Sequence, residues 1–245
     1  MSNYQITEIP QKTVTSSFLS RLLDLISPRL CTVCGQRLAV SEEALCSKCN
    51  LHLPRTGFAS APYENLMAKT FWGRIPIERA SALFYYEPHS ETANIVYQLK
   101  YKDHPEIGET MGRMMARELQ LTGFFDGIDA IVPVPLARKR QRQRGYNQSE
   151  EIASGVSQIT GLPIYNKVVR RNIYEGSQTQ KGRWERNENV ENVFELADGS
   201  SIRGKHLLVI DDVVTTGATV TACGRELAKA GSVRLSVLSI GFAKS

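Results

Sequence analysis

The residues best suited to chemistry are two adjacent carboxylates, Asp211 and Asp212. The apolar run 207–210 before them predicts a strand buried on both faces, as in parallel sheets. The composition of 220–230 after them predicts a helix that ends before Gly231. Between the acids and this helix lies a loop of small and hydroxyl-bearing residues: Thr215, Thr216, Gly217, Ala218 and Thr219.

This order of strand, acidic pair, loop and helix suits a ribose 5-phosphate. Backbone N–H groups at a helix N-terminus, helped by threonine hydroxyls, can bind a phosphate. Two adjacent carboxylates can accept hydrogen bonds from the vicinal hydroxyls of a ribose, and a hard cation such as Mg²⁺ prefers oxygen ligands of this kind. The alternative is a doubly wound protein in which the two acids only end a strand and cap a helix. The presence of all the elements in order favours the phosphate site.

Four of the five cysteines form two Cys-x-x-Cys pairs: Cys31, Cys34, Cys46 and Cys49. The spacing predicts one structural Zn²⁺ bound by four thiolates, with no open coordination position for catalysis. The alternatives are two disulfides or unrelated free thiols. Residues 1–17 lack the basic start and apolar core of a secretory signal, so a cytoplasmic location is expected, where disulfides are rare. Cys223 is expected to be a small buried residue.

A strongly basic run follows a strand predicted over 129–135 and precedes a helix predicted over 149–160. Its members are Arg138, Lys139, Arg140, Arg142 and Arg144. Most such runs are solvated basic faces. However, a loop that leaves the carboxyl end of a strand lies at the edge of an open α/β sheet where ligands bind. The run is therefore expected as a loop beside Asp211 and Asp212, with contacts to nucleic-acid phosphates or to pyrophosphate.

The remaining patterns complete an α/β domain. Strands are predicted over 80–86 and 233–241, and helices over 18–26, 91–101 and 107–121. The long polar stretch 168–194, with little periodicity, predicts a functional lid, although a disordered surface loop is the alternative.

Length and composition allow one medium domain and a small module, because the chain has 245 residues of which 42% are hydrophobic. The net charge of +5 favours anionic partners. No run of 18 apolar residues occurs, so no membrane insertion is expected. The predicted organisation is a tail with a short helix (1–27), a zinc ribbon (28–55), a linker (56–79) and an α/β domain (80–245).

The stretch 207–219 resembles the motif that binds phosphoribosyl pyrophosphate (PRPP) in type I phosphoribosyltransferases: a hydrophobic run, two acids, then Thr-Thr-Gly-x-Thr. The resemblance implies a Rossmann-like sheet in which 168–194 is a hood that closes over the reacting centre. It also implies that Asp211 and Asp212 contact the ribose 2′- and 3′-hydroxyls, and that the loop 215–219 holds the 5-phosphate.

Three further stretches and the four-cysteine module resemble the ComF family of competence-associated proteins. The stretches are Leu-Lys-Tyr at 99–101, Pro-Val-Pro at 133–135 and Arg-Gly-Tyr-Asn-Gln at 144–148. The resemblance implies PRPP binding with Mg²⁺ and phosphoribosyl transfer to an acceptor, with Asp211, Asp212, Lys100 and Arg144 as catalytic residues and the last two on pyrophosphate. It also implies a link to DNA uptake in natural transformation and to DNA-uptake proteins. The alternative is a non-catalytic accessory protein that handles single-stranded DNA and keeps its PRPP pocket as a sensor or relic.

Overall fold

The computed structural model describes residues 28–172 and 193–244. At its centre is a sheet of four parallel strands. In spatial order they are β1 (Arg79–Tyr85), β6 (Arg234–Phe242), β5 (His206–Val214) and β2 (Ala130–Pro133). All four were predicted from the sequence, and the predicted α/β class is confirmed. A second, two-stranded antiparallel sheet pairs β3 (Val169–Arg171) with β4 (Phe194–Leu196).

Seven helices and one 3₁₀ turn (Phe58–Ser60) accompany the strands in the described ranges. The helices are α1 (Ser47–Leu51), α2 (Leu66–Phe71), α3 (Ala93–Tyr101), α4 (Pro105–Gln120), α5 (Arg138–Arg144), α6 (Gln148–Thr160) and α7 (Ala218–Ala228). The helix predicted over 18–26 lies outside the described residues. None of the helices in 28–172 and 193–244 has the length and apolar character needed to cross a bilayer.

Strand β5 is buried on both faces, as its apolar sequence predicts. Leu208 and Ile210 belong to one core cluster, and Leu207 and Val209 belong to another. Side chains alternate along a strand, so the four consecutive residues serve both faces of the sheet. The first cluster includes residues of α3, α4 and α6, and the second includes residues of α2 and α7.

Helices α4 and α6 pack closely because each places a glycine at their contact. A Cβ on Gly112 would collide with the carbonyl oxygen of Ile152, and a Cβ on Gly155 would collide with that of Glu109. The close contact sets the position of α6, and its first turn brings Ser149 to the carboxyl end of β5.

The segment 56–79, predicted as a linker, contributes to the core. Met67 and Phe71 of α2 are fully buried. The side chain of Asn65 caps α2 by accepting a hydrogen bond from the Ala68 N–H group, and it donates to the Ala80 carbonyl of β1. The prolines and glycines around this short helix leave too few turns to show a helical period, so the pattern gave no sign of it.

The four-cysteine module contacts α3 and α4. The side chain of Gln98 on α3 donates a hydrogen bond to the Thr32 carbonyl at 3.1 Å. Arg113 on α4 forms an ion pair with Glu43 of the module. Buried residues of the module also belong to the core cluster that holds α3, α4 and α6. The module therefore packs against the same face of the sheet as these helices.

Candidate functional site

Asp211 and Asp212 lie inside β5, which continues to Val214. We expected both acids to follow the end of the strand; instead they lie within it, close to its carboxyl end. The neighbouring strand β6 is equally long, so Asp211 pairs in register with Ser239 and the ladder extends past the acids. Asp212 is buried and Asp211 is half-buried.

Residues from three elements hold the two carboxylates. The Ser149 hydroxyl at the start of α6 donates to Asp211 Oδ1 at 3.3 Å, and the Asp212 N–H group donates to the same oxygen at 2.9 Å. Lys100 Nζ at the end of α3 lies 3.0 Å from Asp212 Oδ1. The structure thus brings Lys100 to the acidic pair.

Burial and the neighbouring Asp212 carboxylate raise the pKa of Asp211 to about 7, although the Asp212 N–H group, Lys100 and Ser149 oppose the shift. A cation or hydroxyl donor bound at this carboxylate would favour its ionised form and lower the pKa again.

The loop 215–219 presents unused donors at the N-terminus of α7. None of its backbone N–H groups has a hydrogen-bond partner within 28–172 and 193–244, and its first two threonines are exposed. Helix α7 starts at Ala218, inside the loop and two positions before the predicted start at 220. Free N–H groups at a helix N-terminus are favourable for an anion.

The backbone of this loop is held in place by contacts with α2 and with Arg74, which follows α2 in the chain. Gly217 has a left-handed φ of +71°, and a Cβ there would lie 2.9 Å from the Phe71 ring. The Arg74 guanidinium donates to the Thr216 carbonyl. Glycine is therefore required at 217 both by the backbone angle and by the close approach of α2.

The basic run forms helix α5 and not the predicted loop. The heptad Arg-Lys-Arg-Gln-Arg-Gln-Arg has no apolar residue, so its sequence shows no amphipathic period. The helix ends at Gly145, whose φ of 80° is left-handed. Arg138, Lys139, Arg140 and Arg142 are exposed.

A cavity of about 650 Å³ separates α5 from the end of α3. Lys100, Tyr101, Arg140 and Arg144 are among its lining residues. The Tyr146 hydroxyl donates to the Leu99 carbonyl and ties the end of α5 to α3. The cavity thus joins the two predicted pyrophosphate residues, Lys100 and Arg144.

A second cavity, of about 360 Å³, lies on the other side of α5. Its lining includes Arg138 of α5 together with Arg170 and Arg171 of β3. Burial lowers the pKa of Arg171, and the nearby Arg140 lowers it further while Asp211 opposes the shift. Strands β3 and β4 occupy the two ends of the predicted hood, and the hood residues between them, 173–192, lie outside the described part of the chain.

The four cysteines of the amino-terminal module converge. Their sulfur atoms all lie within 4.8 Å of one another, and Cys34 Sγ is 3.8 Å from Cys46 Sγ. A tetrahedron with metal–sulfur bonds of about 2.3 Å has sulfur–sulfur edges of about 3.8 Å. Backbone N–H groups of Cys46 and Cys49 donate to sulfurs of the cluster. Burial opposes ionisation of Cys31, but N–H groups that donate hydrogen bonds to its sulfur bring its pKa down to about 7, whereas burial and the neighbouring thiols raise the pKa of Cys49. The donor set fits a metal ion bound by four thiolates.

Sequence reasoning missed three residues that support the site. Ser149 had a signal, since it begins the helix after the basic run at the sheet edge. Phe71 and Arg74 had none, because they lie in an unpatterned segment and contact residues far along the chain. Only the folded chain brings these two residues into contact with the loop 215–219.

Residues 99–243 match the family model described as the phosphoribosyl transferase domain. A DNA utilization protein YhgH of Salmonella typhimurium is 27% identical over 223 residues, covering 87% of this chain and 96% of that protein. Competence protein F of Haemophilus influenzae is 26% identical, with the same coverage of both chains. Competence protein ComFC of Bacillus subtilis is 26% identical over 91% of this chain and 82% of that protein.

Proposed function

Because the chain belongs to the phosphoribosyl transferase domain family, in its ComF group, we propose that it binds PRPP or a related ribose 5-phosphate with Mg²⁺ and transfers the phosphoribosyl group to an acceptor. One observation carries the proposal. The Lys100–Asp212 pair, the second carboxylate Asp211 and a loop of free N–H groups converge at the carboxyl end of β5. In open α/β sheets this is the edge that binds ligands.

The loop 215–219 is the proposed site of the 5-phosphate. Its N–H groups and threonine hydroxyls are donors, and the N-terminus of α7 favours negative charge. Two residues separate Asp211 and Asp212 from it in the chain, which suits the ribose hydroxyls near the phosphate. Their carboxylates accept hydrogen bonds from these hydroxyls and orient the sugar.

Lys100 and Arg144 are the proposed contacts of the pyrophosphate. Both line the larger cavity, and Lys100 also forms the ion pair with Asp212. During transfer the bond between ribose C1 and the pyrophosphate oxygen breaks, and positive charge develops on the sugar while the leaving group gains negative charge. Fixed cations that stabilise this charge lower the barrier. Bound Mg²⁺ would add further neutralisation of the leaving pyrophosphate.

The transfer is tested by release of pyrophosphate from PRPP across a panel of acceptors, with nucleobases, amines and carboxylated bases as separate arms. We expect release that requires Mg²⁺ and an acceptor, and that is lost in Asp212→Asn. Lys229→Ala is the matched control, since Lys229 is an exposed lysine paired with an acid on α7. PRPP binding without acceptor-dependent release would contradict transfer and leave the binding site intact.

A second candidate function, handling of single-stranded DNA, is favoured by the exposed cations of α5. Relatives are named as a DNA utilization protein and as competence proteins. Replacement of Arg138, Lys139, Arg140 and Arg142 by Ala should weaken binding of single-stranded DNA and flatten its salt dependence, by about 0.7 in the log–log slope per lost phosphate contact. If affinity and its salt dependence are unchanged, the basic run is a solvated surface and not a DNA-binding site.

The four-cysteine cluster is the proposed site of a structural Zn²⁺. The cysteines of the described chain are free thiols, which suits a reducing compartment, and we propose that the protein acts in the cytoplasm. Because four protein ligands would complete the coordination, the metal would organise the module and take no part in transfer.

A further inference from the structure

The outer side of α3 carries two aromatic rings that the fold leaves uncovered. Tyr97 and Tyr101 are 49% and 64% exposed, whereas the buried side of the helix holds Ile95, Val96 and Leu99. The tyrosines lie one helical turn apart, and their ring centroids are 5.4 Å from each other with the planes tilted by 43°. Neither ring contributes to the core, so folding alone does not account for the pair.

Cations flank both rings. The Lys102 ammonium is 5.8 Å from the centroid of Tyr97, and the Arg144 guanidinium is 5.1 Å from that of Tyr101. Tyr101 and Arg144 also line the larger cavity, together with Lys100 and Arg140. Among the residues that line it, Asp103 is the one carboxylate. The rings therefore border a groove with an excess of positive charge.

We propose that Tyr97 and Tyr101 form a stacking platform for single-stranded nucleic acid, whose backbone phosphates lie in the adjacent cavity near Arg140 and Arg144. The proposal rests on the second candidate function and assigns a site to it. Proteins that bind single strands without sequence preference combine a basic groove with aromatic rings on which bases stack. Every base has a π-face, so the platform should accept any sequence.

The charge and shape of this surface favour a single strand over a protein helix or a DNA duplex. An apolar helix laid over the tyrosines would remove water from neighbouring cations without pairing them, which is unfavourable. A duplex presents phosphates, but its base faces are stacked inside and cannot reach the rings. A single strand offers both free base faces and phosphates.

The test is fluorescence anisotropy with labelled oligothymidylate and oligouridylate of about 12 nucleotides, within the usual site size. Tyr97→Ala and Tyr101→Ala should each weaken binding at least about fivefold, and the corresponding Phe variants should keep it, because stacking needs the ring and not the hydroxyl. Tyr63→Ala is the matched control. Tyr63 is 62% exposed with the Arg79 guanidinium 5.7 Å from its ring, but Arg79 begins β1 and so lies at the amino end of the parallel strands, away from the carboxyl end where Lys100 of α3 meets Asp212.

The salt dependence separates stacking from charge. The tyrosine variants should lose affinity at every salt concentration with an unchanged log–log slope, whereas Arg144→Ala should reduce the slope by about 0.7. Unchanged affinity in the tyrosine variants, an equal loss in Tyr63→Ala or a preference for duplex would overturn the proposal. The Tyr97→Ala variant should bind PRPP as tightly as the wild type does. A wild-type protein that binds PRPP but no oligonucleotide would refute the stacking platform and leave the proposed PRPP site standing.

Discussion

The ammonium group of Lys100 lies 3.0 Å from Oδ1 of Asp212. The pair joins the end of α3 to the carboxyl end of β5 and is mostly shielded, with 25% and 13% of the two side chains exposed. Lys100 also lines the larger cavity, and two residues separate Asp212 from the loop 215–219. In the proposed reaction the ribose and the leaving pyrophosphate meet at this point.

Lys100→Met should weaken PRPP binding by about 1.5–3 kcal/mol, the usual range for a hydrogen bond to a charged group. Methionine keeps the length of the side chain and removes its charge. The control is Lys229→Met, because Lys229 is paired with Glu226 at the surface of α7. Calorimetric titration with PRPP in the presence of Mg²⁺ measures the affinity of each variant. Equal PRPP affinities in the two variants would show that Lys100 does not contact PRPP.

Gly217→Val should abolish PRPP binding, whereas Thr219→Ala should cost about 1–2 kcal/mol for one hydrogen bond to a charged ligand. The structure directs the valine Cβ toward Phe71 and so predicts displacement of the loop itself.

Gly161→Val is the matched control for this variant. Gly161 has φ +72°, against +71° at Gly217, but a Cβ there meets nothing within 4 Å. Both variants force a β-branched residue into the left-handed region, so their difference isolates the collision with α2. Binding lost equally in both would show that general destabilisation is responsible.

The raised pKa of Asp211 predicts a pH-dependent gain of stability in Asp211→Asn. An acid that titrates near 7 in the folded protein and near 3.8 when unfolded binds more protons when folded. Its ionisation therefore favours unfolding, with a penalty that grows from about pH 4 and is complete above pH 7. The excess of Tm of the variant over wild type should rise between pH 5 and 7.5 and then level off. A difference independent of pH would contradict the assignment.

Cys46→Ser should release the metal and loosen residues 28–55, with the parallel sheet still folded. The purified wild type should carry about one Zn²⁺ per chain. Cys223→Ala is the control, since this buried thiol of α7 lies outside the cluster and its loss should leave the metal content unchanged. Elemental analysis and proteolysis measure the two effects. A metal-free wild type with a protease-resistant module would contradict a metal-dependent fold.

The sequence predicted the four strands of the parallel sheet and most of the longer helices because their signals are local. The apolar run 207–210 and the glycines that end helices act within one element, and the cysteine spacing shows which sulfurs can meet. The family resemblance added Lys100, which no local pattern connects to the acids.

Other features depend on contacts between distant segments. The length of β5 is set by its neighbour β6, so the sequence of β5 alone did not show that the acids lie inside the ladder. Helix α5 has no apolar face from which to detect a helical period. The contact between Gly217 and Phe71 joins an unpatterned segment to the phosphate loop, and only the folded chain shows it.

The central claim is that the carboxyl end of β5 and the loop 215–219 bind PRPP with Mg²⁺. Isothermal titration of the wild-type protein with PRPP, in the presence and absence of Mg²⁺, tests it most directly. We predict saturable binding at one site per chain that strengthens with Mg²⁺ and is weakened in both Asp211→Asn and Asp212→Asn. No measurable affinity of the folded wild type at millimolar PRPP with Mg²⁺ would contradict the claim, and the proposed transfer would fall with it.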